Sequence, residues 1–336
     1  MFSLQKIIEG IAVATALAVG ICGCAADEDM EEYRLAEEQK LTVYTSHKKE
    51  IYEPIIKEFE ERSGIWVEIV PGGTNELLEK IRFEENGSGG DIMFGGGIDS
   101  LEVYSGEFEP YRPTQYDHLD HTYASETDSY TVFSKLPTVL IYNKKMVISA
   151  GAPRSWEELL SSRWKGNIAY ADPVKSGSSY TSLQTMIQVL SSQYSQEQVL
   201  RNFSYNLEHD IAQGSEEAIE AVVAGEKLIG ITYEEAALKR IEAGADIGVI
   251  YPEQGTTAVP DGCAIIKDAP HQENARLFME FIVSEDVQRL LEDQLHRRSV
   301  REDVTNAEAI EEIPYDLNYS REHREEVLAL WEELNP

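Results

Sequence analysis

The segment Lys40-Leu-Thr-Val-Tyr-Thr-Ser-His47 opens the part of the chain that decides the fold. Its apolar and β-branched residues predict a strand that ends in small polar residues. Residues with helical spacing follow and predict a helix with one apolar face: Ile51, Ile55, Ile56 and Phe59. Further strands are predicted at 65–70 and 91–94, with a helix at 75–85 between them. This alternation predicts an α/β fold with a mostly parallel sheet.

Three of these strands end in short loops, which are Thr45-Ser46-His47, Gly72-Gly73-Thr74 and Gly95-Gly96-Gly97. In open α/β sheets, ligands bind outside the carboxyl ends of the strands. Glycine also lets backbone N–H groups approach a ligand closely. Each loop alone is typical of a tight turn, but three at one edge indicate a ligand site. The chain has neither GxGxxG nor GxxxxGK[ST], so the sequence does not indicate dinucleotide or P-loop binding.

A second candidate site lies in the stretch Ala171-Asp-Pro-Val-Lys-Ser-Gly-Ser-Ser-Tyr-Thr-Ser-Leu183, between a short apolar strand and a predicted helix. The hydroxyls of Ser176, Ser178 and Ser179 would lie at the start of that helix. Free N–H groups and the helix dipole favour an anion there, and the alternative is an ordinary serine N-cap. Ser215 is predicted to cap a further helix over 216–224 or to face the ligand.

Composition limits the classes of partner. The chain has 336 residues, enough for two domains, and a formal net charge of −32. Such acidity argues against nucleic-acid binding, which requires Lys and Arg to neutralise phosphates. Of the three cysteines, only Cys263 lies outside the N-terminal segment, in an apolar run that predicts a buried strand. No disulfide framework is therefore expected in the folded part.

The N-terminal segment is predicted to direct the chain out of the cytoplasm. Residues 1–24 hold Lys6, an apolar run and Cys22-Gly23-Cys24, which is typical of a secretory signal. The ending Ile21-Cys22-Gly23-Cys24 resembles the bacterial lipobox, and this resemblance implies lipidation of Cys24. The alternative is an uncleaved anchor helix. Residues 25–40 are charged and lack an apolar stripe, so they are predicted to form a tether.

A resemblance to a known family extends over residues 41–304. It is carried by an ordered set of fragments: Leu41-Thr-Val-Tyr-Thr-Ser-His47, Gly89-Gly-Asp-Ile-Met-Phe-Gly-Gly-Gly97, Thr138-Val-Leu-Ile-Tyr-Asn143, Trp164-Lys-Gly-Asn-Ile-Ala-Tyr-Ala-Asp-Pro173, Ile229-Gly-Ile-Thr-Tyr-Glu234 and Tyr251-Pro-Glu-Gln-Gly-Thr256. These fragments resemble solute-binding proteins of bacterial ABC importers, in the branch called ferric-iron-type.

The resemblance implies a periplasmic-binding-protein-like fold of type II, in which two α/β lobes joined by crossover strands hold the ligand between them. The first lobe would comprise residues 41–142 and about 252–336, and the second residues 143–251. The C-terminal helices would pack on either lobe. It also implies a monomer that closes around a small solute and is recognised by a membrane permease.

Two classes of ligand follow from the resemblance. One branch binds phosphorylated or phosphonylated solutes, such as hexose phosphates or aminoethylphosphonate. In that case the donors to the phosphoryl group would be Ser46, Thr74, Gly96, Ser176, Ser178 and Ser179, with Ser215 as a further candidate. His47 would add a positive charge or a donor, Glu234 would accept from hydroxyl or amine groups, and Tyr233 would stack or hydrogen-bond.

The ferric branch uses a histidine, a glutamate and a pair of adjacent tyrosines. Here only Tyr233 stands at the position of the pair, followed by Glu234, so an iron site would consist of His47, Tyr233 and Glu234. Arg297 and Arg298 are predicted either to clamp the anion or to be solvated charges at a helix end.

Catalysis is the competing class of function. The sequence holds no HExxH, GxSxG, CxxC or DxDxDG spacing, so binding without catalysis and without a cofactor is the simpler interpretation. A ligand-binding module for a sensor kinase is a further alternative.

Overall fold

The computed structural model describes residues 36–83, 89–304 and 309–336. The predicted signal peptide, its Cys24 and most of the predicted tether lie outside the described residues. Residues Glu38–Pro336 belong to one structural unit. Within the described ranges, no helix is long and apolar enough to cross a membrane.

The strands lie along the whole of this unit. They are β1 (Lys40–Thr45), β2 (Trp66–Pro71), β3 (Ile92–Gly97), β4 (Phe108–Glu109), β5 (Thr131–Asn143), β6 (Ile168–Ala169), β7 (Ile229–Tyr233), β8 (Ile247–Ile250), β9 (Ala258–Ile266) and β10 (Arg298–Ser299).

The α-helices alternate with the early strands and dominate the C-terminal part. They are α1 (Lys49–Ser63), α2 (Thr74–Phe83), α3 (Ile98–Val103), α4 (Gly177–Leu190), α5 (Gln196–Leu207), α6 (Ser215–Ala224), α7 (Glu234–Glu242), α8 (Gln272–Ile282), α9 (Glu285–Leu295), α10 (Leu317–Glu322) and α11 (Arg324–Leu334).

Helix α1 shows how the sequence determines an element. The four apolar residues predicted to form its inner face, from Ile51 to Phe59, are all buried. Gly64 ends the helix with a φ of 71°, a left-handed conformation that glycine adopts without a steric cost. The buried face fixes α1 against the sheet, and so fixes where the loop after β1 lies.

The sheet runs in the order β2-β1-β3-β9-β5-β7-β6. Strand β1 pairs in parallel with β2 and β3, as predicted. The prediction of a mostly parallel sheet is wrong for most of the remainder, because β9 pairs antiparallel with both β3 and β5, and β5 pairs antiparallel with β7 and β8. The two long strands, β5 and β9, therefore run antiparallel to their neighbours in the sheet. Strands β6 and β7 are again parallel.

Strand β5 connects separate hydrophobic cores. Its first half, residues 131–137, pairs with β9, and its second half, residues 138–143, pairs with β7. One core draws on residues between Leu41 and Phe133 and between Val259 and Tyr315. Two others lie on opposite faces of β5, since Leu140 and Tyr142 join one and Val139 and Ile141 join the other. These two cores are together called the second group of cores. The predicted lobe boundaries stay a prediction.

The C-terminal helix α11 packs on the second group of cores. Val327 and Trp331 are buried with Tyr170 and Phe203, and the Trp331 ring lies 5.7 Å from that of Tyr170. The chain therefore returns to the second half of the sheet after leaving the first core at Tyr315. The predicted core cysteine, Cys263, lies fully buried in β9, where burial raises the pKa of its thiol.

Candidate ligand-binding cleft

The strand-end loops of β1, β2 and β3 meet, as the sequence predicts. A Cβ atom placed on Gly95 would lie 2.9 Å from the Ser46 Oγ and 3.0 Å from the His47 Nε2. A Cβ atom on Gly96 would lie 2.8 Å from the Thr74 Cγ2. Both glycines have positive φ angles, 101° and 90°. Only glycine fits this approach, so Ser46, His47, Thr74 and Gly96 form one group, here called the strand-end group.

His47 is the most buried polar side chain of the strand-end group. Its ring packs against Phe94 at a centroid distance of 4.6 Å, and its Nδ1 faces the Asp261 carboxylate at 3.7 Å. Burial lowers the pKa of His47 to about 4, more than the Asp261 charge raises it. The ring is therefore neutral at physiological pH, and the positive charge expected of His47 is not present there. Its Nε2 has no hydrogen-bond partner among the described residues.

The predicted serine site is assembled from two segments far apart in sequence. The Oγ of Ser176 lies 3.0 Å from that of Ser178 and 3.2 Å from that of Ser215. Ser178 and Ser215 are 3.1 Å apart, and Ser179 donates its hydroxyl to the Ser176 Oγ at 3.1 Å. These four side chains are called the serine cluster below. Their hydroxyls rotate freely enough to turn from one another toward an anion.

Two helices start at the serine cluster. Ser176 is the N-cap of α4 and accepts a hydrogen bond from the Ser179 N–H. Helix α6 begins at Ser215, and its N-cap is Gly214. The predicted capping role of Ser215 is therefore wrong by one position, because extended backbone at Gly214 already starts the helix. The Ser215 hydroxyl is thereby available to the serine cluster, and both helix dipoles favour negative charge there.

The segments around the serine cluster are held in place by polar contacts. Lys175 is hydrogen-bonded to Gln213, so the loops before α4 and α6 are tied together. The Asp172 carboxylate lies 3.9 Å from the Lys175 ammonium and accepts from the Val174 N–H. Asp172 thus shapes its own turn, the role that an aspartate before proline commonly has.

An ion pair links the strand-end group to the serine cluster. Lys48, which follows His47, lies 3.7 Å from the carboxylate of Glu216, which follows Ser215. Both side chains are largely exposed, so the pair adds little stability. It shows that the strand-end group and the serine cluster lie close together in space.

Tyr233 lies at the end of β7 within the same region. It is partly exposed and lies near the Thr181 side chain of α4. Burial raises the pKa of Tyr233 to about 12, with smaller contributions from the charges of Asp99 and Asp261. The phenol is therefore protonated at physiological pH and available to a ligand as a donor.

Glu234, the next residue, has a different environment from the one predicted. Its carboxylate accepts from Arg298 at 2.7 and 2.8 Å and from the Tyr251 hydroxyl. Such a bidentate arrangement uses most of its acceptor capacity. Glu234 is therefore placed to fix the start of α7 behind Tyr233, and its predicted contact with a ligand would require this pair to open.

The two arginines are paired with carboxylates and are not solvated charges. Arg297 is buried and pairs with Asp261 and with Glu235, the latter at 3.0 Å. It also donates to the Ser134 hydroxyl at 3.0 Å. Arg298 pairs with Glu234 as described above. The alternative of solvated charges is therefore wrong, because each guanidinium pairs with a carboxylate that is distant in sequence. The anion-clamp alternative stays a prediction and would require these pairs to open.

Sequence reasoning missed one acidic residue in this region. Asp99 lies in the first turn of α3, directly after the glycine loop, and its Oδ1 is folded over Gly97. Its position at the carboxyl edge of β3 is a signal that the sequence does contain. The described residues hold no group of three or more His, Cys, Asp or Glu side chains arranged for a metal ion.

A family model described as bacterial extracellular solute-binding protein matches residues 94–319. The chain belongs to this family. The match covers the end of β3, most of the second group of cores and the return to the first core. It therefore includes the serine cluster and Gly96, whereas Ser46, His47 and Thr74 precede it.

Relatives and structures agree with this assignment. Iron uptake protein A1 of a Synechocystis species is 28% identical over 288 residues, covering 80% of this chain and 78% of the relative. A putative 2-aminoethylphosphonate-binding periplasmic protein of Salmonella typhimurium is 22% identical over 263 residues, covering 74% and 73%. The periplasmic binding protein AfuA of Actinobacillus pleuropneumoniae, solved with exogenous fructose-6-phosphate bound, is 21% identical, with a TM-score of 0.75 over 88% of this chain and 98% of that one.

These findings confirm the ferric-iron-type resemblance and the periplasmic-binding-protein-like fold. As a member of the family, the protein binds a small solute outside the cytoplasm and serves an ABC importer by delivering the solute to its permease. Proteins of this kind are binders and not enzymes.

Proposed function

We propose that the protein is a lipoprotein, anchored through Cys24, that captures a small anionic solute, either a phosphorylated sugar or an organophosphonate. It acts as a monomer, closes its lobes around the solute and presents it to the permease. The observation that carries the proposal is the convergence of four serine hydroxyls at the N-termini of α4 and α6.

The serine cluster suits a phosphoryl group for reasons of charge and shape. Each hydroxyl that donates to an ionised oxygen forms a charge-assisted hydrogen bond, which contributes about 1.5–3 kcal/mol. The backbone N–H groups of two helix starts add fixed dipoles that need no counter-charge of their own. In a chain with a net charge of −32, such local donors are the means by which an anion is attracted.

The facing side of the cleft supports capture of a whole organic solute. The strand-end group offers the Ser46 and Thr74 hydroxyls beside the backbone of Gly96. Tyr233 and Thr181 lie near each other and add two hydroxyl groups next to a ring. A solute longer than inorganic phosphate would contact both lobes, and this shared contact is what favours lobe closure.

Two relatives add support for this class of ligand. The Salmonella protein is named for 2-aminoethylphosphonate, and the Actinobacillus protein was solved with fructose-6-phosphate bound. Both solutes join a phosphorus oxyanion to an organic part with polar groups. The serine cluster is the part of the present chain that fits the feature they share.

Ferric iron is the alternative ligand, because the Synechocystis relative is named for iron uptake. Its site would draw on His47, Tyr233 and Glu234. The unpartnered Nε2 of His47 and the partly exposed Tyr233 are compatible with a metal ligand set. The bidentate pair of Glu234 with Arg298 opposes it, since that carboxylate would have to leave a nearly buried cation.

A thermal-shift screen separates these proposals. The purified protein, freed of bound solute by unfolding and refolding, is heated with hexose phosphates, the parent sugars, phosphonates, and ferric iron with and without citrate. A ligand that binds only the folded state raises the melting temperature in proportion to the logarithm of its concentration above its Kd. We expect shifts with phosphorylated or phosphonylated solutes and not with the parent sugars. A shift with iron alone, with visible tyrosinate absorption, would replace the proposal by the iron alternative.

A further inference from the structure

The hydroxyl of Thr138 is buried within β5 without a hydrogen-bond partner. Thr138 is 1% exposed, and its Oγ1 forms no hydrogen bond to any of the described residues. The backbone of Thr138 is fully paired, since its N–H donates to the Thr257 carbonyl at 3.0 Å and its carbonyl accepts from the Thr256 hydroxyl at 2.6 Å. Buried hydroxyl groups are hydrogen-bonded in most folded proteins, so an unpaired one is a candidate contact for a bound molecule.

Thr138 lies where β5 exchanges one neighbouring strand for another. It is the first residue of β5 to pair with β7, directly after the segment that pairs with β9. Its partner in the register is Tyr233. Side chains directly opposite each other in an antiparallel pair lie on one face of the sheet, with Cβ atoms about 4.5–5.5 Å apart. The Thr138 side chain therefore lies beside that of Tyr233, which is partly exposed.

Helix α4 covers this face of the sheet. The next pair on the same face, Leu140 and Ile231, joins the core that the buried apolar residues of α4 form. The Thr185 hydroxyl of α4 lies 2.6 Å from that of Thr257, the residue whose carbonyl accepts from the Thr138 N–H. The unpaired hydroxyl is therefore on the face of β5 over which α4 packs, and α4 begins at the serine cluster.

A short path along α4 connects the serine cluster with Thr138. Thr181 of α4 lies near Tyr233, and Ser178 precedes Thr181 by three residues. An α-helix rises roughly 1.5 Å per residue, so Thr181 is about 4.5 Å from Ser178 along the helix axis. A solute with its anionic end at the serine cluster and an organic part of that length would therefore extend to Tyr233 and to Thr138 beside it.

We propose that Thr138 contacts the solute, and that its hydroxyl and the Tyr233 phenol hydrogen-bond the organic part while the serine cluster binds the anionic end. This inference rests on the proposed function, since it assumes that the anionic end lies at the serine cluster. A threonine hydroxyl both donates and accepts hydrogen bonds, so it can pair with a hydroxyl, an amine or a carbonyl oxygen. Because Thr138 is nearly inaccessible to water, the protein loses no hydrogen bond to solvent when this contact forms.

Isothermal titration calorimetry with Thr138→Val and Thr138→Ser tests the contact. The organic probes are fructose-6-phosphate and 2-aminoethylphosphonate, and inorganic phosphate is the probe without an organic part. Valine has the shape of threonine but no hydroxyl, so Thr138→Val should weaken the binding of each organic probe that the wild-type protein binds about tenfold, the effect of one hydrogen bond. Its affinity for inorganic phosphate should stay unchanged. Thr138→Ser retains the hydroxyl and should bind every probe as the wild-type protein does.

Melting temperatures of the ligand-free variants distinguish this role from a structural one. Because the hydroxyl is unpaired, Thr138→Val should melt at the wild-type temperature or above it. Thr185→Val is the contrasting variant, since the Thr185 hydroxyl donates to the Thr181 carbonyl at 2.8 Å, and it should melt at a lower temperature. A lower melting temperature of Thr138→Val with unchanged affinities would assign the hydroxyl a partner inside the protein and overturn the proposal.

The binding outcomes separate this inference from the proposed function. Equal affinity of the wild-type protein and Thr138→Val for the organic probes would overturn the inference and leave the anion site intact. Weaker binding of inorganic phosphate by Thr138→Val would mean that the substitution disturbs the serine cluster, and weaker binding by Thr138→Ser would assign the effect to packing. Either result would overturn the inference as well. If the wild-type protein binds neither organic probe, the proposed function itself fails, and the inference fails with it.

Discussion

The pH dependence of stability should reveal the buried state of His47. Its pKa falls from 6.5 to about 4 on folding, chiefly because burial disfavours the charged ring. Below pH 6.5 the unfolded chain binds a proton that the folded protein does not bind until about pH 4. The unfolding free energy should therefore fall as the pH drops through this window, with a His47 contribution on the order of 3 kcal/mol.

Urea unfolding at a series of pH values measures this effect. His47→Gln should lose less stability than the wild-type protein between pH 7 and pH 4, whereas His121→Gln, at an exposed histidine, should follow the wild-type curve. Parallel curves for the wild-type protein and His47→Gln would mean that His47 is not buried in its neutral form.

Gly95 is the residue on which the geometry of the strand-end group depends. In Gly95→Ala the new Cβ atom would meet Ser46 and His47 within 3.0 Å, at a φ of 101° that alanine rarely adopts. We expect a loss of about 1–3 kcal/mol in stability and weaker ligand binding, because both side chains must move. Gly106→Ala is the control, since nothing lies within 4 Å of its added Cβ atom. The melting temperatures of the two variants test this expectation. Equal values would contradict the close packing of Gly95 against Ser46 and His47.

At the residue scale, the sequence predicted the small polar residues better than the charged ones. The serines and glycines of the cleft occur in short local patterns at strand ends and helix starts, so their positions follow from local structure. The pairing of Arg298 with Glu234, 64 residues away in sequence, depends on how β10 meets α7, which local patterns do not encode. Asp99 was missed because a single acidic residue after a glycine loop resembles many others.

At the scale of elements, the start of α7 depends on one ion pair. Arg298 in β10 and Glu234 are nearly buried, with side-chain exposures of 12% and 5%. Glu234→Gln leaves the guanidinium without its counter-charge and should lower the unfolding free energy by about 3 kcal/mol or more. Adding Arg298→Met should recover part of that loss, because the unpaired charge is then removed.

Chemical denaturation of the single and double variants measures this coupling. Glu273→Gln, at a side chain that is 84% exposed and paired with Arg276, is the control and should change stability very little. If Glu234→Gln instead keeps full stability and loses only ligand binding, Glu234 contacts the solute directly, as the sequence predicted.

The order of elements was predictable in the N-terminal part, where strands and helices alternate. It was less predictable in the rest of the chain. Strands β1, β2 and β3 and the helices between them follow directly from hydrophobic periodicity. The antiparallel pairing of β5 and β9 does not follow from periodicity, because both faces of these strands are buried. A continuous apolar run does not indicate the direction of the neighbouring strand.

At the scale of the whole molecule, the proposed ligand site draws on both groups of cores. The strand-end group belongs to the first, and the serine cluster belongs to helices that pack on the second. Besides β5 and β9, residues near Tyr315 and Ser320 pass from one group to the other and hydrogen-bond Tyr180 on the way. A solute that binds both sides therefore stabilises one arrangement of the lobes, which is the arrangement a permease would recognise.

The central claim is that the serine cluster holds the anionic end of the solute, and calorimetry on a double variant tests it most directly. The titrant is the phosphorylated or phosphonylated solute that gives the largest thermal shift. Ser178→Ala with Ser215→Ala removes two hydroxyl donors and should weaken its binding about 100-fold or more. Ser191→Ala, at the opposite end of α4, should bind as the wild-type protein does. Unchanged affinity in the double variant would contradict the claim and place the anion elsewhere in the cleft.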